Sequence, residues 1–218
     1  MNPGVEIVGW LATCVAALLA VPQIVRLVRT RSTDGLSLLL WQAMLAINVA
    51  WLSHGLLIGA ANMIVTNLLG AASTVTILVM MIRARRLAVL RVVLPGMLGG
   101  LVLIGIDLVA GAAVFGAAAL VPAVLANGGQ TVELVRAPRI TGVSPVFLVG
   151  NVVNQSLWFA WALLAGDQGT MIAAPISGLL QLANLVWWVL RRAGLRPLFV
   201  RPVPVEVLPR PAQVSCEP

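Results

Sequence analysis

Apolar residues in this chain run in long uncharged blocks and do not alternate with polar ones. No charged residue stands between Glu6 and Arg26, between Asp34 and Arg83, between Arg91 and Asp107, between Asp107 and Glu133, or between Arg139 and Asp167. A helix rises about 1.5 Å per residue, so roughly 20 such residues cross a hydrocarbon core. Breaking the blocks at charged and Gly/Pro-rich positions predicts spans at roughly 5–27, 36–57, 60–82, 91–108, 111–134, 144–165 and 170–190. The stretch from Leu94 to Leu125 is long enough for two spans, and Asp107 with Gly111 is the place to turn between them. The expected fold class is an all-α membrane protein of seven helices.

Arginine placement tests that count independently, because cytoplasmic loops collect basic residues. Arg26, Arg29 and Arg31 follow the first span, and Arg83, Arg85, Arg86 and Arg91 follow the third. Arg136 and Arg139 follow the fifth, and Arg191, Arg192, Arg196, Arg201 and Arg210 follow the seventh. The opposite loops hold Glu6, Asp107 and Asp167 instead. This puts the N-terminus outside and the C-terminus inside. Residues 193–218, with six prolines, are expected to be a disordered cytoplasmic tail.

Composition sharpens the class. The chain is 60% hydrophobic with a mean hydropathy of +1.02, which excludes a water-soluble fold. Its net charge of +7 sits at the ends of apolar runs and not on a polar stripe, so nucleic acid is not an expected partner. Cys14 and Cys216 lie at different depths and offer no disulfide or metal spacing. Met1 to Glu6 lacks a positive n-region, so the first span is read as retained and not as a signal peptide.

The chain also repeats itself. Arg26 to Ser37 recurs as Glu133 to Ser144, with Gly35 set against Gly142 at an offset of about 107 residues (142 − 35). The same offset lays Trp51 on Trp158 and Gly59 on Gly166. A three-span unit ends on the side opposite its start, so one linker span is needed for a second copy in the same orientation. The expected organisation is therefore a first three-helix repeat (1–86), a linker helix (87–110) and a parallel second repeat (111–192), a 3-1-3 layout. Duplicated polytopic chains commonly place a substrate site between their halves.

With this layout, the chain resembles the SWEET and SemiSWEET sugar transporters of the PQ-loop superfamily over residues 1–192. The resemblance is carried by Pro22-Gln23, the turn Ser32-Thr33-Asp34-Gly35-Leu36-Ser37, Trp51, and Thr66-Asn67-Leu68-Leu69-Gly70. Trp51 and Asn67 stand 16 residues apart (67 − 51), the spacing of the family's substrate-contacting Trp and Asn. The resemblance implies a passive sugar uniporter working by alternating access in the cell membrane, with no cofactor and no catalytic or metal-binding residues. A neutral sugar and the bilayer are the implied partners, and homo-oligomerisation is left open.

The residues support such a site chemically. An indole packs on the apolar faces of a pyranose, and a carboxamide answers hydroxyls that both donate and accept. Asn67 must face the bundle interior, and Asn48, one turn before Trp51, is expected on the same face. In the second repeat Trp158 is kept and Gln155 replaces Asn48. The loop from Gly166 to Thr170 reads as one residue longer than its counterpart, which pairs Gly178 with Gly70 and puts Pro175 where Asn67 sits. Asn151, Asn154, Gln155, Gln181 or Asn184 are the candidates to replace the lost amide. Pro22 with Gln23 is a candidate hinge, answered in the second repeat by Gly129-Gln130, with Pro122 or Pro145 supplying a bend. No Asp or Glu lies mid-span, which favours a facilitator over a proton-coupled carrier. His54, near the outer end of the second span, is expected to be a boundary residue or an external-gate hydrogen-bonder. A PQ-loop carrier of amino acids or another metabolite, or a receptor that has lost transport, are the competing readings. No elbow motif, metal pair or carboxylate pair suggests an enzyme.

Overall fold

The computed structural model describes residues 3–30, 36–136 and 144–198, with side chains at 21–24, 26–28, 30, 126 and 133 outside the description. The regular structure in these segments is all helix: α1 (Pro3–Thr30), α2 (Leu38–Ile58), α3 (Ala61–Arg85), α4 (Val89–Ala110), α5 (Ala112–Arg136), α6 (Pro145–Ala165) and α7 (Gln168–Arg192). Six are long and apolar enough to cross a membrane, and α5 makes a seventh when its two parts are taken as one span. This is a multi-pass membrane protein. The expected tail from residue 199 onward lies outside the described residues.

Local chemistry sets the helix ends, and it does so twice. Ser37 starts α2 by accepting from the Leu40 N–H at 3.4 Å, and Ser144 starts α6 by accepting from the Phe147 N–H at 3.4 Å. Gly59 (φ 69°) and Gly166 (φ 73°) end the same two helices in the left-handed conformation that glycine adopts without a Cβ clash. All four are residues that the 107-residue offset pairs.

That offset also corrects the expected insertion. α2 and α3 are joined by residues 59–60, and α6 and α7 by residues 166–167, so the two turns are equally long. The turn hydrogen bonds correspond as well, Ala60 N–H to Gly55 O and Asp167 N–H to Ala162 O. α7 is an unbroken α-helix with nowhere to absorb an extra residue. In the helix register Asn67 therefore corresponds to Ala174, and Pro175 to Leu68, one place away from the expected pairing.

Packing repeats too. α3 lies against both α1 and α2, which do not touch each other among the described residues, and α7 stands in the same relation to α5 and α6. The two sets meet along α1–α6 and α2–α5, contacts that the offset interconverts, while α4 packs chiefly on α2. Small residues permit the close approaches expected between membrane helices. A Cβ on Gly96 of α4 would stand 2.8 Å from the Gln42 carbonyl of α2, and one on Gly70 of α3 would collide with the Asn48 side chain. Leu and Val side chains such as Leu18, Val109 and Leu179 project outward. α5 bends by 44° between Ala112–Leu125 and Asn127–Arg136, flanked by Pro122 and Gly128-Gly129.

Candidate functional site

One end of the bundle gathers the start of α1, the three tight turns and no arginine of the described residues; the described arginines lie toward the other end. A cavity of about 540 Å³ opens at the arginine-free end, where the two sets of helices meet. It is lined by four pairs at the 107-residue offset: Val5 with Ala112, Ile58 with Ala165, Gly59 with Gly166, and Ala60 with Asp167. Asn62, Trp161 and Gln168 also line it, and the Trp161 indole N–H is buried without a hydrogen-bond partner. The volume falls within the range of small-molecule sites.

Trp51 and Trp158 meet in one packed cluster and do not line that cavity. Trp158 is buried with Met63, Trp161 and Ala174, and Trp51 packs against this group together with Met171. Trp51 also stands edge-on to Phe115 of α5 at 4.7 Å and to His54 at 5.6 Å, while Trp158 meets Trp161 edge-on at 5.5 Å. Asn67 sits one turn along α3 from Met63, half-buried, and its amide donates to the Met63 carbonyl at 2.8 Å.

The remaining amides divide between packing and availability. Asn48 is buried and donates to the Met44 carbonyl at 2.7 Å and to the Thr74 hydroxyl at 3.3 Å, which places it between α2 and α3. Gln155 of α6 lies beside Gly178 of α7. Asn151 donates to the Phe147 carbonyl. Gln181 donates to Asn127 at 2.7 Å, and Asn184 accepts from Thr131 at 2.9 Å, so both turn toward α5. Asn154 is half-buried and its side-chain oxygen has no partner.

Pro22 and Gln23 lie within α1, with side chains outside the description. Gly129 and Gln130 follow the bend of α5, and a Cβ on Gly129 would come within 3.8 Å of Leu40 on α2. Pro145 stands in the first turn of α6, where its missing N–H has no helical partner to lose, so it opens that helix and does not kink it.

One cluster was not assembled by sequence reasoning. His54 is buried between two carboxylates, its Nδ1 2.7 Å from Asp107 and its Nε2 3.0 Å from Asp167. The three residues belong to α2, to α4 and to the α6–α7 turn. The second oxygen of Asp167 accepts from the Thr170 N–H at 2.9 Å and caps α7. Burial alone would raise the Asp167 carboxyl, but the hydrogen bonds from His54 and Thr170 outweigh it and hold the group below its ordinary range. Phe115 stacks on the imidazole at 4.9 Å.

Residues 4–57 match the PQ loop repeat family. A solved eukaryotic SWEET transporter, determined at 3.7 Å resolution, superposes with a TM-score of 0.66. The chain carries a PQ loop repeat and has the SWEET fold. The match covers 87% of this chain and 99% of the other at 13% identity. No curated protein sequence matches. The PQ loop repeat ends one residue before the α2 terminus, so it contains both Trp51 and His54.

Proposed function

We propose that the chain is a passive carrier of a small neutral sugar, working by alternating access between two parallel three-helix units, α1–α3 and α5–α7, joined by α4. The observation that carries this reading is the cavity lined by offset-related pairs from both units, set at the same end as the Trp51–Trp158 cluster. Asn67 supplies a carboxamide one turn along α3, and Asn154 an unpartnered oxygen. The likeness to a SWEET transporter supports the transport reading, and the arginine-rich end supports a cytoplasmic C-terminus with the cavity facing outward from the cell membrane. No residue is assigned a catalytic role.

The test is counterflow of radiolabelled glucose and sucrose into liposomes, with Asn67→Ala beside the wild type. Saturable flux that the substitution abolishes, with insertion intact, supports the reading. Normal flux in Asn67→Ala removes Asn67 from the site. Ala174 at the offset position of Asn67 leaves the second unit without the matching amide, which favours as second reading a carrier of another small metabolite. In that case neither sugar is carried and an amino-acid panel is.

A further inference from the structure

We propose that His54, Asp107 and Asp167 form a proton-binding latch that holds the arginine-free end of the two units together, and that losing one proton from it releases that end. The inference rests on the two-unit reading above, because Asp167 belongs to the α6–α7 turn while His54 and Asp107 sit on α2 and α4.

The geometry fixes a proton count. Both ring nitrogens lie within hydrogen-bond distance of a carboxylate oxygen, at 2.7 Å and 3.0 Å. Each contact needs one proton between nitrogen and oxygen. Two protons satisfy both, whether the cluster is an imidazolium with two carboxylates or a neutral imidazole with one carboxylic acid. Remove one proton, and a nitrogen lone pair faces a carboxylate oxygen at a distance where only repulsion remains. The net charge of the cluster also passes from −1 to −2 in a buried place.

Among the described residues nothing nearby compensates. α5 presents Phe115 to the imidazole, and α7 presents Gly169, 3.5 Å from Nε2 when given a Cβ, and Thr170. None of these titrates. On α2 itself the neighbour is Trp51. Glu6 of α1, the other acid at this end, accepts from the Trp10 indole at 3.0 Å. The described arginines lie toward the opposite ends of their helices.

The proton has a route. Asp167 lines the 540 Å³ cavity, so water entering there reaches one member of the cluster. The cluster therefore responds to the pH on that face. Opening this end requires α2 and the α6–α7 turn to part, which breaks the His54–Asp167 contact and leaves His54–Asp107 between α2 and α4, which pack against each other.

The test uses the full-length protein in liposomes without solute, so it stands apart from any failure to find the transported molecule. Spin labels are placed at Leu57→Cys and Leu164→Cys, exposed positions at this end, with Cys14 and Cys216 replaced by Ala. Their separation is measured at pH 5.5 and pH 9.5. In the wild type the longer-distance population should rise at least about fivefold at pH 9.5, the equilibrium worth of one net hydrogen bond. Asp167→Asn and Asp107→Asn each supply a permanent amide donor to the imidazole, and Asn remains a good helix cap at 167. Both variants should therefore stay at the short distance at both pH values. A wild type indifferent to pH overturns the proposal. So do Asn variants that open as the wild type does, or that stand open at pH 5.5, since a merely structural carboxylate would give those results.

Discussion

The helix sets α1–α3 and α5–α7 agree where helices begin and end and differ where the sets face each other. Ser37 and Ser144 cap α2 and α6, Gly59 and Gly166 terminate them, and both helices run 21 residues. At the interface the offset instead places Trp161 against His54 and Ala174 against Asn67. Trp161 and His54 show the contrast most plainly. The indole joins an apolar cluster with Val5, Met63 and Trp158, while the imidazole holds two carboxylates. Residues that define local geometry are held in both copies, because each copy must fold the same way. Residues at the junction are free to specialise, because each side of the junction is built only once.

Substitutions at paired positions test this contrast. The largest effect is expected at His54. His54→Ala leaves Asp107 and Asp167 buried without their shared partner, at a cost of about 3–5 kcal/mol, whereas Trp161→Phe, a shape change within an apolar cluster, should cost under about 3 kcal/mol. Thermal unfolding of the purified protein in one detergent ranks the two, and equal losses would remove the asymmetry.

Next in size is the α2–α3 contact. Gly70→Ala puts a methyl into the Asn48 side chain and should destabilise by about 1–3 kcal/mol. Gly178→Ala meets Gln155 at an ordinary 3.4 Å and should be neutral or stabilising by up to about 1 kcal/mol, the helix-propensity gain. The same melting assay reads both, and a stabilised Gly70→Ala would show that Asn48 can yield.

The helix caps should behave alike. Gly59→Ala and Gly166→Ala each force a Cβ into the left-handed region and should cost about 1 kcal/mol. A difference between them larger than the measurement error in melting temperature would mean that the two turns are not equivalent.

The smallest effect concerns acid. Because the Asp167 carboxyl lies below its ordinary value in the fold, its contribution is present above the unfolded value of about 3.9 and is lost as pH falls through the folded one. Hydrogen exchange at the Thr170 amide, relative to its intrinsic rate, should therefore speed up only below the ordinary carboxylate range. In Asp167→Asn, whose amide does not titrate, that acceleration should be absent.

Much of the fold is legible in the sequence because membrane helices declare themselves by length, and arginines mark one set of ends. The seven helices fall within a few residues of the expected spans, and the 107-residue offset reappears as matching caps. The register beyond the α6 turn differs from the expected one because Gly178 and Gly70 attract an alignment by identity, whereas turn length and helix continuity fix the pairing at Gly166 and Asp167. Asn48 was expected to line the site because it shares a face with Trp51, but that face also meets α3, and Gly70 leaves room for the amide there. The His54 cluster escaped sequence reasoning for a different reason. Its members lie on three separate elements, 53 and 113 positions from His54, and no spacing rule joins them. The unpaired His54 and the acids at Asp107 and Asp167, all at one set of helix ends, were the available signal.

In the proposed carrier, solute passes between the two units by way of the site at Trp51, Asn67 and Trp158. The most direct measurement is saturable counterflow in liposomes for the wild type, Trp51→Ala and Asn67→Ala, with insertion and folding verified in each. Passage at that site should give glucose or sucrose flux in the wild type, reduced at least about 100-fold in both variants, as expected when well-placed binding groups are lost. Wild-type flux that persists undiminished in both variants would contradict it.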